Sequence, residues 1–410
     1  MSGIFSWLFG SGNSSSSSTQ KVTTTPKKKV SAPTPAPAPA PAAGGVPAWL
    51  KNSMQKPSGN RASITVYDPS GVPLNLSFQN EKASGGEGTV YALPSDDRIL
   101  IKVYKEQIIN DPVKLEELKQ KLSAMFSVPV CKTMDFLAWP LMPVFNVKRQ
   151  VIGFVMKRCE GKSFLSLRNA DNVARNFPGW DRKNLALTAL DFLRKVKLLS
   201  QYGVQINDFN PANFLVDQNC NVSFIDCDSF QISPPGKNVS ITKTFFPSHC
   251  PPELLKNKRL LNQVRNIHQL EFGAAIIIFN LLMCGLHPYA YYDPNSLSAC
   301  GNPDENLLKG RCPLGRGAGC RLPVGNWYNL WSWLTRNTKE AFINTFRDGH
   351  SNPARRTSLD QWEQNLTQLL FEMDRTPAVP ERRQLAPTCA KSWEDHRKSA
   401  SGKEICDMFF

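Results

Sequence analysis

Three polar side chains stand at fixed separations in the middle of this chain: Asp208, Asn213 five residues later, and Asp226 thirteen residues beyond that. Their types suit one kind of chemistry. A carboxylate can orient and deprotonate a hydroxyl, while an amide oxygen and a second carboxylate offer hard ligands for a divalent cation such as Mg²⁺ on phosphate groups. Phe214-Leu215-Val216 and Val222-Ser223-Phe224-Ile225 are short apolar runs about a polar Asp217-Gln218-Asn219 turn. The pattern predicts a hairpin that holds Asn213 and Asp226 side by side. An Asp-x-x-x-x-Asn spacing alone is weak, since ordinary surface hairpins also carry acids.

A phosphate site is foreshadowed upstream. Gly85-Gly86-Glu87-Gly88-Thr89-Val90 reads as a glycine turn between two strands, where backbone N–H groups approach phosphate oxygens with no side chain in the way. Fourteen residues after Gly88 comes Lys102, inside the apolar run Ile99-Leu100-Ile101-Lys102. A Lys there is costly unless an anion meets it. Phosphates in front and a helix carboxylate behind would satisfy it, and Glu117, or its neighbour Glu116, is the expected partner.

The elements that must position these groups follow from periodicity. Strands are expected at Ile64-Thr65-Val66-Tyr67, Leu74-Asn75-Leu76-Ser77-Phe78, Thr89-Val90-Tyr91-Ala92-Leu93 and Ile99 through Tyr104. Asp111-Pro112 opens a helix with apolar positions Leu115, Leu118, Leu122 and Met125. Further helices are expected over 183–201, 266–284, 338–346 and 358–372. Strands first and helices later is the order of an α+β protein with a small sheet lobe and a larger helical lobe. Residues 1–60 read as a disordered Ser/Pro/Ala-rich tether, 61–160 as the β-rich lobe, 161–372 as the helical lobe, and 373–410 as a flexible tail. The tether opens on the apolar peptide Ile4 to Phe9, a docking element or a chance cluster.

Bulk composition narrows the function classes. The net charge is +15, with six Lys and no acid in residues 1–60. No RNA-binding signature, zinc finger or basic recognition helix accompanies this excess, so nucleic acid is not an expected partner. The eleven Cys lack the spacing of a disulfide scaffold, and Met1–Gly10 lacks the basic start and apolar run of a secretory signal, so a cytoplasmic location is expected. Cys300, Cys312 and Cys320, with Cys250 and His249, raise zinc, but no pair forms the Cys-x-x-Cys knuckle. The apolar run Phe272–Cys284 falls short of the ~20 residues that span a bilayer. It reads as a helix buried on all sides.

Taken together, the glycine turn, the strand Lys, Asp208/Asn213, Asp226, Pro251-Pro252-Glu253 and Pro353-x-x-Arg356 occur in the order and spacing of protein kinases. More narrowly, the chain resembles the YegI-like bacterial Ser/Thr kinases associated with tellurite-resistance and stress genes. The residues that carry this are Gly85 through Tyr91, Trp139-Pro140, Gly153-Phe154-Val155-Met156, Asp208 through Val216, and Ile225-Asp226-x-Asp228-Ser229-Phe230-Gln231. The resemblance covers residues 75–370 and implies a two-lobed, protein-kinase-like fold acting with ATP and Mg²⁺ on a protein hydroxyl. By it, Asp208 would be the catalytic base and Asn213 with Asp226 would hold metal. Lys102, steadied by Glu117, would grip the phosphates under Gly85, Gly86, Gly88 and Val90. Met156 to Glu160 would form the hinge against adenine. Glu253 and Arg356 would form a bracing ion pair. A von Willebrand-type domain protein and a metal-dependent phosphatase are partners the resemblance implies.

Several positions depart from the common kinase pattern. Ala83 replaces the first loop glycine, Leu100 a small residue above adenine, and Ile206-Asn207 the usual His-Arg before Asp208. Asn210 replaces a Lys, Cys227-Asp228 replaces Phe-Gly, and His268 replaces an Asp. Without the Arg before Asp208, a phosphorylation switch of the usual kind is not expected. The missing Lys keeps open a pseudokinase, a nucleotide-binding scaffold with little transfer. A small-molecule kinase is a third reading, against which Pro251-Pro252-Glu253 and Arg356 argue.

Overall fold

The computed structural model describes residues 63–234, 236, 239–290, 302–315, 327–375 and 383–387. The expected tether over 1–60, Cys300, Cys320 and most of the expected tail lie outside the described residues.

The β-rich lobe is a seven-stranded sheet in the order β2-β1-β6-β7-β5-β4-β3, with antiparallel neighbours throughout. Its strands are β1 (Ile64–Tyr67), β2 (Pro73–Leu76), β3 (Glu81–Ser84), β4 (Gly88–Leu93), β5 (Asp96–Tyr104), β6 (Met142–Phe145) and β7 (Val151–Lys157). Cross-strand partners share a face. Val90 and Phe154 stand opposite Lys102, and Met156 opposite Leu100, so these five side chains line one side of the sheet. Ile101 and Val103 point the other way, into a small core with Val66, Leu76, Val144, Ile152 and Val155.

Helix α1 (Pro112–Phe126) packs beside the Lys102 face. Asp111 caps it by accepting from the N–H groups of Val113 and Lys114, and Leu115, Leu118, Leu122 and Met125 are buried as their spacing requires. The helical lobe is built on α2 (Arg182–Gln201) and α3 (Ile267–Leu282). A capping box between Asp181 and Asn184 starts α2, and one between Asn266 and Gln269 starts α3. Twelve of the sixteen α3 residues are buried, which makes it the apolar axle of this lobe. Helix α4 (Arg336–Ile343) and the amphipathic α5 (Leu359–Arg375) complete the packing. Among the described residues, no helix is long and apolar enough to cross a membrane.

One stretch departs from expectation. Residues 383–387, read from composition as flexible tail, lie against the helical lobe. The Arg383 carbonyl accepts from Arg182 N at 2.9 Å, the Pro387 carbonyl accepts from Asn329 Nδ2 at 2.8 Å, and Leu385 packs on the main core. Local composition carries no record of these captures, because the donors sit far away in sequence.

Candidate active site

The predicted hairpin forms as β9 (Phe214–Val216) and β10 (Val222–Phe224), with β8 (Lys162–Ser163) beyond β9. It couples to the segment before it through Ile225 N, which donates to the Asn213 carbonyl at 2.9 Å. Phe214 and Phe224 are fully buried and meet edge to face at 5.4 Å, so the hairpin is anchored in the core beneath the polar groups. The loop ahead of it is set by Phe209, which is buried, and by Asn210, whose Oδ1 accepts from Ala212 N at 3.0 Å. Asn210 thus shapes the loop, and the residue two places after Asp208 carries no charge.

The structure brings four of the sequence-predicted groups together. Lys102 Nζ reaches from β5 to Asp226 Oδ1 at 2.7 Å. Asn213 Nδ2 donates to Asp208 Oδ2 at 3.1 Å. Burial and the nearby Asp226 charge push the Asp208 carboxyl up to about 6, against the opposing Asn213 hydrogen bond. Asp226 adopts the left-handed region, with φ of 56° and ψ of 39°. Non-glycine residues rarely hold that conformation, which concentrates at functional sites.

The glycine turn closes with Gly85 N donating to the Gly88 carbonyl at 2.9 Å. Its glycines differ in purpose. A β-carbon on Gly86 would meet nothing within 4 Å, whereas one on Gly88 would stand 2.8 Å from the Val103 carbonyl oxygen. Gly86 therefore borders open space, and Gly88 is required by the close approach of β4 to β5. Met156 is buried in β7 on the Lys102 face. Glu160 is exposed and meets Arg158 at 3.4 Å.

Glu117 is not the partner of Lys102. Its side chain is 62% exposed and faces Lys243 Nζ at 3.7 Å, and Glu116 is likewise exposed beside Lys119. Both lie on the outward face of α1, because Leu115 and Leu118 take the inward one. The second carboxylate on Lys102 is Asp228, with both oxygens 2.8 Å from Nζ, and Asp228 also accepts from the Tyr104 hydroxyl at 2.5 Å. Burial alone would lower the Lys102 pKa, but Asp228 and Asp226 outweigh it and hold the ammonium well above its usual range. Burial alone would raise the Asp228 pKa, but Lys102, Lys121 and Tyr104 hold it low. Sequence reasoning missed this role. The available signal was a second acid, Asp228, two residues after Asp226 and close to Phe230, which needs a distant cation once buried.

The donor set fits a metal shared with phosphates. Asn213 Nδ2 is engaged by Asp208, leaving the amide oxygen, and Asp226 Oδ2 lies outside the Lys102 contact. Two such oxygens would suit Mg²⁺, which would take its other ligands from phosphates and water. Among the described residues, no cluster of three His, Cys, Asp or Glu could hold a metal by itself. Of the zinc candidates, His249 is already engaged, by Ser248 and Asn280.

The Glu253–Arg356 pair is present and bidentate, at 2.8 and 2.7 Å, with the Arg356 side chain fully buried. Arg356 also donates to the carbonyls of Gly349 and His268 and so ties the start of α3 to the segment before α5.

No family model matches the chain. Protein kinase YegI of Escherichia coli strain K12 is 27% identical over 234 residues, 56% of this chain and 34% of that protein. Protein kinase YegI of Escherichia coli O157:H7 is 28% identical over 214 residues, 51% of this chain and 32% of that protein. The matched stretch thus covers about a third of each relative's length. Among solved structures, the ROP18 kinase domain in complex with AMP-PNP and sucrose aligns at a TM-score of 0.49 and 14% identity, over 77% of this chain and 84% of that one. The similarity to the YegI proteins agrees with the lobes and loop order described above: the chain carries a YegI-like, protein-kinase-like fold, with a small β-rich lobe and a larger helical one.

Proposed function

We propose that this chain is an ATP- and Mg²⁺-dependent Ser/Thr protein kinase, transferring the γ-phosphoryl group of ATP to a protein hydroxyl. The observation that carries the reading is the convergence of Lys102 from the sheet with Asp226 from the hairpin, 2.7 Å apart, beside Asp208. In this reading Lys102 holds phosphate oxygens of ATP, and the open space at Gly86 lets the turn's backbone approach them. Asn213 and Asp226 would hold Mg²⁺, which would neutralise charge on the phosphates. Asp208 orients the acceptor hydroxyl and takes its proton. The hydroxyl oxygen bonds to the γ-phosphorus, the bond to the β–γ bridging oxygen breaks, and ADP leaves with that electron pair. A carboxyl near pH 6 is ionised at neutral pH yet basic enough to serve.

Asn210 favours a second reading. Its side chain caps the loop through Ala212 N, so no cation stands two residues after Asp208 to steady the transferring group. A pseudokinase that binds nucleotide with little transfer follows from that. The test is transfer of labelled γ-phosphate from ATP with Mg²⁺ to the chain itself and to a generic basic protein. Wild type should exceed Asp208→Ala and Asp226→Asn by roughly a hundredfold or more. Nucleotide binding with no excess transfer supports the pseudokinase. No nucleotide binding defeats both readings.

A further inference from the structure

In the usual arrangement a helix carboxylate holds the strand Lys, and movement of that helix makes or breaks the grip. Here the outward face of α1 carries the acids, Glu116 and Glu117. The α1 side chain that acts electrostatically on Asp228 is a cation, Lys121. Lys102 is held instead by the segment that follows the hairpin. Asp228 is 1% exposed, uses both oxygens on Lys102, and is braced by the Tyr104 hydroxyl from the same strand as Lys102.

The two carboxylates on Lys102 are not equivalent. The Asp226 side chain is 42% exposed and shares one oxygen with Lys102, whereas the Asp228 side chain is sealed at 1%. An incoming phosphate can replace the Asp226 contact without disturbing the buried one. Releasing Asp228 would leave an uncompensated charge in the core.

We propose that Asp228, braced by Tyr104, is the positioning residue that presents Lys102 to a nucleotide's phosphates, so that the grip is independent of any α1 carboxylate. This rests on the nucleotide-binding reading above. Its consequence is regulatory: a partner that shifts α1 would not switch this protein by breaking the ion pair, because the pair joins β5 directly to the helical lobe.

The test is titration of full-length protein with a fluorescent ATP analogue and Mg²⁺, together with the KM for ATP, the KM for the acceptor protein, and thermal unfolding without nucleotide. Asp228→Asn should weaken analogue binding roughly tenfold or more, and Tyr104→Phe about two- to fivefold. Both should raise the ATP KM while leaving the acceptor KM in place, a split that general loss of structure would not produce. The double variant Glu116→Gln/Glu117→Gln should bind as wild type does. If Asp228→Asn does not fold, Tyr104→Phe decides. Wild-type affinity in Asp228→Asn or Tyr104→Phe overturns the inference, as does loss of affinity in the α1 double variant. Absence of analogue binding by wild type overturns the functional reading and this inference with it.

Discussion

The Phe209 ring packs against Gly273, so close that a β-carbon on that glycine would overlap the ring. Phe209 follows Asp208 directly, and Gly273 is the seventh residue of the buried helix α3. The loop that carries the candidate base is therefore seated on a helix buried on nearly all sides.

Gly273→Ala should displace Phe209 and Asp208 with it. Overpacking of this kind costs about 1–3 kcal/mol. Steady-state transfer should show a lower kcat, while the affinity for a nucleotide analogue, set by the sheet side, stays near wild type. An unchanged kcat would mean the loop does not depend on this seat.

The glycines of the turn should separate by experiment. Gly86→Ala has open space for its methyl group and should leave stability unchanged or slightly raised, while weakening nucleotide binding. Gly88→Ala drives a methyl group into the Val103 carbonyl and should destabilise the sheet by about 1–3 kcal/mol. Denaturant unfolding of the two variants, paired with analogue titration, checks both halves.

Arg356 is fully buried and its charge is met by Glu253. Glu253→Ala should cost about 3–5 kcal/mol, since it strands the guanidinium, whereas Glu253→Gln/Arg356→Met together should cost less than the sum of the single changes. Additive losses in equilibrium unfolding would show that the pair does not act as a unit.

A pH dependence follows from His249, buried between Asn280 and Ser248. Burial, with neighbouring His287 and Arg168, lowers its pKa from 6.5 to about 3. The folded pKa is depressed, so between pH 6.5 and about 3 the unfolded chain binds the proton and the folded chain does not. The stability it contributes is complete above pH 6.5 and is lost as pH falls through that window. Unfolding free energy from pH 7 to 5 should fall less steeply in His249→Gln than in wild type. Equal slopes would remove His249 from the account.

Much of the architecture is legible in the sequence, wherever a local pattern has one physical solution. Leu115, Leu118, Leu122 and Met125 repeat at helical spacing behind an Asp-Pro start, and a helix capped by Asp111 results. The apolar run from Phe272 has no polar face, so it is buried all round, and the hairpin between Asn213 and Asp226 follows from two short runs about a polar turn.

What only the tertiary structure decided is which charges meet. Lys102 announced its need for an anion, since a Lys in an apolar strand is unstable alone. Nothing local chose between Glu117, fifteen residues away on the next helix, and Asp228, 126 residues away. Packing made that choice: Leu115 and Leu118 turn inward, which carries Glu117 out to Lys243, and the hairpin delivers Asp228 beneath Tyr104. The capture of residues 383–387 by the helical lobe has the same origin. Helical and strand periods are properties of neighbouring residues and can be read from order alone. A buried ion pair is a property of two surfaces that exist only once the chain has folded.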